Sequence, residues 1–167
     1  ISTPGGKNAG MNDDQGELAG FLPYQLSVAS NAVSSLIAER YRKRFGLKIP
    51  EWRVMAVLGD SGQLTQRALT AATVMDKVAV NRAVKVLEER GLVGRVPNPD
   101  DGRSHLLELT GEGRAIHAEV MPLARATERE LLDGFKPEEE ALLRRLLADM
   151  RSRADLLARA ASSSVSP

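Results

Sequence analysis

A chain of 167 residues, 43% of them hydrophobic, is long enough for one domain with a real core. Because aromatics make up only 4%, that core must be built from Leu, Val, Ala, Ile and Met, and the absence of cysteine excludes disulfides, thiolate metal sites and thiol-based redox sensing. A formal net charge of +1 excludes nucleic-acid binding through bulk charge alone, so any such role must come from where the charges stand.

The first ten residues, ISTPGGKNAG, are small, polar and glycine-rich, and Met11 is a candidate natural start, so residues 1–20 read as a cloning leader followed by a loose N-terminus. From Phe21 to Phe45, Leu22, Leu26, Ala29, Val33, Leu36 or Ile37, Tyr41 and Phe45 recur every three or four residues, which predicts a long amphipathic helix closed by Gly46. Pro50-Glu51 opens a shorter helix with Trp52, Met55, Ala56 and Leu58 on its buried side, broken by Gly59-Asp60-Ser61-Gly62. Thr65 is a plausible N-cap for a helix to about Ala72, and Thr73-Val74-Met75 turns into the next one.

That next helix is bounded by its own sequence, with Asp76 to cap the first turn and Gly91 to take the left-handed conformation that ends it. Val80, Ala83, Val84 and Leu87 fall on one face, and Val78, Asn81, Arg82 and Lys85 on the other. The first set is core. The second suits base edges, phosphates and thymine methyls in a DNA major groove, although a solvated surface is the plainer reading of such a face taken alone. Lys77 in the first turn opposes the helix dipole by a few tenths of a kcal/mol, which a phosphate partner explains better than stability does.

Gly94-Arg95-Val96 and His105 to Leu109 then read as two short strands around the turn Pro97-Asn98-Pro99-Asp100-Asp101-Gly102. Thr110 caps a helix to about Asp133 in which Pro122 should cause a kink, and Lys136-Pro137 with Glu138, Glu139 and Glu140 opens a last one. Its stripe of Leu142, Leu143, Leu146, Leu147, Met150, Ala154 and Leu157 is richer than one small domain needs, and the chain should fray from Ala160. The expected class is mainly α with a small β-hairpin wing.

No apolar run approaches the roughly 20 residues that span a bilayer and the start lacks a signal-peptide core, so a soluble cytoplasmic protein is expected. No P-loop, GxSxG elbow or GxGxxG is present, and His105 and His117 lack a metal-ligand pattern, so no enzyme, metal or cofactor is expected.

Three local signatures carry a resemblance: Leu64-Thr65-Gln66; Asp76 with Leu87-Glu88-Glu89-Arg90-Gly91-Leu92-Val93; and Asp100-Asp101-Gly102-Arg103-Ser104 closed by Leu109-Thr110. On these the chain, from about Phe21 to Leu157, resembles the MarR family of bacterial winged helix-turn-helix transcriptional regulators. The resemblance implies a homodimer on palindromic double-stranded DNA. Residues 21–48 become an N-terminal dimerisation helix, 49–110 the DNA-binding lobe, 111–160 the C-terminal dimerisation helices and 161–167 a loose tail. It maps the reader helix onto Lys77 to Lys85, places Thr65, Gln66 and Arg67 near the backbone, and puts Arg103, with Ser104 beside it, at a wing tip that enters the minor groove. Where many members carry Ser or Thr in the reader's first turns this chain has Val78, Ala79 and Asn81, so their operator preference does not transfer.

Within the family a small aromatic or phenolic effector is expected between the dimer helices and the DNA-binding lobe. Candidate lining residues here are Ser30, Asn31, Ser34, Trp52 and Met55, for which a helix flank plus ordinary core is the alternative. Arg103 pairing with Asp100 or Asp101 is likewise the alternative to groove contact. The expected function is a ligand-responsive repressor, and the near-neutral charge leaves open a winged-helix protein-interaction module that does not read DNA.

Overall fold

The structure, a computed structural model, describes residues 17–163; most of the expected leader and the end of the expected tail, residues 164–167, lie outside the described residues. The elements run α1 (Leu22–Phe45), α2 (Ile49–Ser61), β1 (Leu64–Thr65), α3 (Gln66–Thr73), α4 (Lys77–Glu89), β2 (Val93–Pro97), β3 (His105–Leu109), α5 (Gly111–Leu131) and α6 (Pro137–Ser163). Two compact units divide after Ala124.

In the first unit α2 is the centre, packing against α1, α3, α4 and β3. Its buried Trp52, Val54, Met55 and Leu58 meet Tyr41, Leu47, Leu69, Val80, Val84, Leu87, Leu107 and Val120 in one core. Each fully buried Val or Leu there contributes roughly 1.5–3 kcal/mol. The expected hairpin is joined by a third strand: the antiparallel order is β1-β3-β2, with Leu64 opposite Leu107 and Val93 opposite Leu109. Leu64-Thr65 thus pairs as a strand before Thr65 caps α3.

A second difference concerns Gly59, which lies inside α2 rather than breaking it. A Cβ there would overlap the His117 ring of α5, so the glycine permits close approach, and the helix ends instead at Gly62. Arg90 ties three elements together: its guanidinium donates to the Phe45 carbonyl (2.7 Å) and the Gly46 carbonyl (3.2 Å) at the end of α1, and lies 3.9 Å from the buried Glu51 carboxylate of α2. Glu51 also accepts from the Lys48 backbone N–H at 2.9 Å, which caps α2. Thr110 caps α5 as expected, accepting from the Gly113 N–H at 3.0 Å, and Pro122 sits inside that helix.

In the second unit the Lys136 N–H donates to Glu139 (2.9 Å) ahead of Pro137, and Arg144 is held by Glu128 (2.9 Å) and Glu140 (2.7 Å). α6 continues to Ser163, past the expected fraying at Ala160. Its Leu142, Leu143, Leu146, Leu147 and Leu157 are exposed, as are Leu22, Tyr24, Val28 and Val33 of α1 in the first unit. Among the described residues no helix is long and apolar enough to cross a membrane.

Candidate nucleic-acid interface

α4 is bounded as its sequence requires: Asp76 accepts from the Ala79 N–H at 2.8 Å, and Gly91 has φ +69°. Val80, Ala83, Val84 and Leu87 are buried, which forces Val78, Asn81, Arg82 and Lys85 outward, and Val78 is 58% exposed. An amide from α3 stiffens this face, since Gln66 Nε2 donates to Asn81 Oδ1 at 3.0 Å and leaves the Asn81 NH2 free to donate elsewhere. Thr65 spends its hydroxyl oxygen accepting from the Ala68 N–H at 3.2 Å.

Arg67 and Lys77 are exposed and, with Gln66, Thr70 and Ala71, line a groove of about 510 Å³ between α3 and the start of α4. Lys85 has Glu89 at 3.9 Å, an exposed pair worth well under 1 kcal/mol. Arg67, Lys77 and Arg82 have no ion-pair partner among the described residues. Val74, in the turn before α4, holds φ +52° and is 78% exposed, a left-handed conformation that a β-branched residue resists.

β2 is pinned to α4 by a two-pronged contact, Arg95 Nε and Nη2 to the Glu88 carboxylate at 2.6 and 3.3 Å. Beyond it, the wing loop is closed by its own backbone and short side chains. Asn98 Nδ2 donates to Ser104 Oγ (2.8 Å), Ser104 N–H donates to the Asp101 carbonyl (2.9 Å), and Asp101 Oδ1 accepts the Arg103 backbone N–H (3.1 Å). Ser104 Oγ also donates to the Asp101 carbonyl at 3.3 Å, so its hydroxyl is committed to the loop. Asp101 therefore holds the backbone of Arg103 and not its side chain. Among the described residues the exposed Arg103 guanidinium has no carboxylate within ion-pair distance, and the loop presents it as a free cation at the tip.

The expected effector residues separate. Ser34 and Trp52 share a cleft of about 160 Å³ with Ile37, Tyr41, Ile49, Arg53 and Ala56. Met55 is fully buried in the core of the first unit, and Ser30 and Asn31 are exposed on α1 and do not line the cleft. Sequence reasoning missed Arg53, whose Nη2 donates to Ser34 Oγ at 3.5 Å and which has no ion-pair partner among the described residues. Its position between Ile49 and Ala56 on one face of α2 was the available signal. Trp52 lies between Tyr41 (centroids 5.7 Å apart) and His117 (5.6 Å). Burial pushes the Tyr41 phenol up to about 12, and burial, opposed by Asp60, lowers the His117 imidazole from its ordinary value. Among the described residues no group of His, Asp or Glu is arranged to hold a metal.

A sequence model of the MarR family matches residues 45–104. Among curated proteins the chain is similar to the transcriptional regulator HosA of Escherichia coli O111:H-, 33% identical over 101 residues, covering 60% of this chain and 75% of that one. Among solved structures it is similar to a probable transcriptional regulator from Pseudomonas aeruginosa, 32% identical with a TM-score of 0.68, covering 80% of this chain and 99% of that one. It is also similar to a mutant MarR from E. coli complexed with operator DNA, 25% identical with a TM-score of 0.69, covering 77% and 92% of the two chains.

Proposed function

This chain belongs to the MarR family of transcriptional regulators, and from that premise we propose that it is a ligand-responsive repressor binding a palindromic operator as a homodimer in the cytoplasm. As a family member it regulates transcription and is not an enzyme. The observation that carries the proposal is the pairing of an outward face on α4, Val78, Asn81, Arg82 and Lys85, with an Arg103 at the wing tip that has no ion-pair partner among the described residues. The α4 face reads base edges in the major groove, and Arg103 enters the adjacent minor groove where A·T-rich DNA concentrates negative potential. Arg67, Gln66 and Lys77 hold phosphates, and Thr65 and Ser104 support the elements that carry them.

Dimerisation answers the surplus apolar surface: among the described residues the leucines of α6 in the second unit, and Leu22, Tyr24, Val28 and Val33 of α1 in the first, are exposed. Two copies related by a twofold axis place their reader helices on successive major grooves, about 34 Å apart. The Ser34–Trp52–Arg53 cleft suits a single-ring aromatic anion, with Ile37, Ile49 and Trp52 for apolar contact and the guanidinium for the charge. A ligand that binds tighter when the reader helices are mis-spaced lowers DNA affinity by that difference, typically 1–3 kcal/mol.

The test is titration of a labelled fragment from upstream of the protein's own gene against random DNA, across salt, with wild type and Arg103→Ala. Selective binding that weakens with Arg103→Ala, most at A·T-rich flanks, supports the proposal. Equal affinity for both fragments refutes it.

A further inference from the structure

We infer that the groove on the α2 side of α4 seats a DNA backbone strand, with Lys48 as its phosphate contact, an inference that rests on α4 being the major-groove element. The groove is about 550 Å³ and is lined by Lys48 and Pro50 from the start of α2 and by Ala79, Arg82, Lys85 and Val86 from α4. Two carboxylates also border it, and both are already engaged. Glu51 accepts from the Lys48 N–H and faces Arg90, while Glu89 faces Lys85. Lys48 and Arg82 have no ion-pair partner among the described residues, so the uncompensated charge of the groove is positive.

The second support is geometric. α4 runs between two cation-rimmed grooves, this one and the one carrying Arg67 and Lys77 on its α3 side. A helix with its side chains is about 10–12 Å across and the major groove about 12 Å wide, so a helix lying in it meets one sugar-phosphate strand on each flank. The α3-side cations serve one strand. Lys48 serves the other, and Ala79, Val86 and Pro50 give a shallow apolar floor that accepts deoxyribose.

The third support is that folding gives no reason for this lysine. Lys48 is the N-cap of α2 through its extended backbone (φ −87°, ψ 163°), a position that favours Ser, Thr, Asp or Asn, and its cation opposes the helix dipole there. A phosphate supplies the reason.

The experiment compares wild type with Lys48→Gln on a duplex that the wild type selects from a random-sequence library, and on its scrambled counterpart. One phosphate contact contributes about 0.9 to the slope of log K against log salt, which at 0.1 M is about eightfold in affinity. Because a homodimer carries two copies of Lys48, Lys48→Gln is expected to lower the slope by about 1.8 and to lose about sixtyfold in affinity on both duplexes, with its melting temperature unchanged. Neutralising single phosphates as methylphosphonates should reveal one position in each half-site that weakens wild type but not Lys48→Gln, on the strand opposite the position found with Lys77→Gln. If wild type binds selectively yet Lys48→Gln keeps the full slope and the full methylphosphonate profile, the inference is overturned and the reading of α4 stands. If wild type shows no selectivity, the inference falls together with that reading.

Discussion

Arg90 is the side chain whose loss should be felt furthest from its own position. Replacing it with alanine removes two charged-donor hydrogen bonds to the last carbonyls of α1, at 2.7 and 3.2 Å, and leaves the Glu51 carboxylate, only 5% exposed as a residue, with the Lys48 N–H as its remaining partner. At about 1 kcal/mol for each partly solvated hydrogen bond, and about 1 more for an uncompensated buried carboxylate, Arg90→Ala should lower stability by roughly 3 kcal/mol. The assay is urea denaturation at constant protein concentration, read as a midpoint shift at unchanged m-value. Glu51→Gln alone should be milder, because the amide oxygen still accepts from Lys48. The double variant should lose less than the sum of the two, since the second change removes the stranded charge. A shift under about 0.5 kcal/mol for Arg90→Ala, or strict additivity in the double variant, would refute the reasoning.

Two further outcomes follow from the same packing. Burial lowers the His117 pKa below its ordinary value near 6.5, so the unfolded chain binds this proton more readily than the folded one. This contribution to stability is complete above pH 6.5 and is lost as pH falls through the depressed folded pKa; His117→Gln should show less acid loss between pH 7.5 and 5.5 in urea melts, and an identical loss would contradict it. Val74→Gly should raise stability by about 0.5 kcal/mol, as relief of a left-handed β-branched residue outweighs the extra freedom of glycine in the unfolded chain. A drop in melting temperature would contradict that.

What was legible in the sequence was local. α4 could be read whole because its cap, its left-handed stop and its two faces lie within sixteen positions, Asp76 to Gly91, and tertiary packing had only to accept them. The wing loop was similarly explicit, down to the Asp and Asn turn chemistry. What escaped depended on distant partners. Leu64-Thr65 is a strand only because β3 arrives beside it, and Gly59 looked like a helix breaker because its reason, the His117 ring, comes from α5. Arg53 was hidden for the same cause: a lone cation on α2 acquires meaning only when α1 brings Ser34 to it. Met55 resolves to the alternative given for it, ordinary core on the buried side of α2. Whether Arg103 forms an ion pair within its own loop turned on which atoms Asp101 holds, a matter of ångströms.

The account stands on α4 reading bases and not merely touching DNA. The most direct measurement is the ratio of affinities for a selected palindrome and its scrambled counterpart at one fixed salt concentration, for wild type, Asn81→Ala and Arg82→Ala. The account predicts that each substitution lowers the ratio by about 1–3 kcal/mol, roughly five- to more than a hundredfold, with little change in affinity for Asn81→Ala on scrambled DNA. A ratio that survives both substitutions would contradict it.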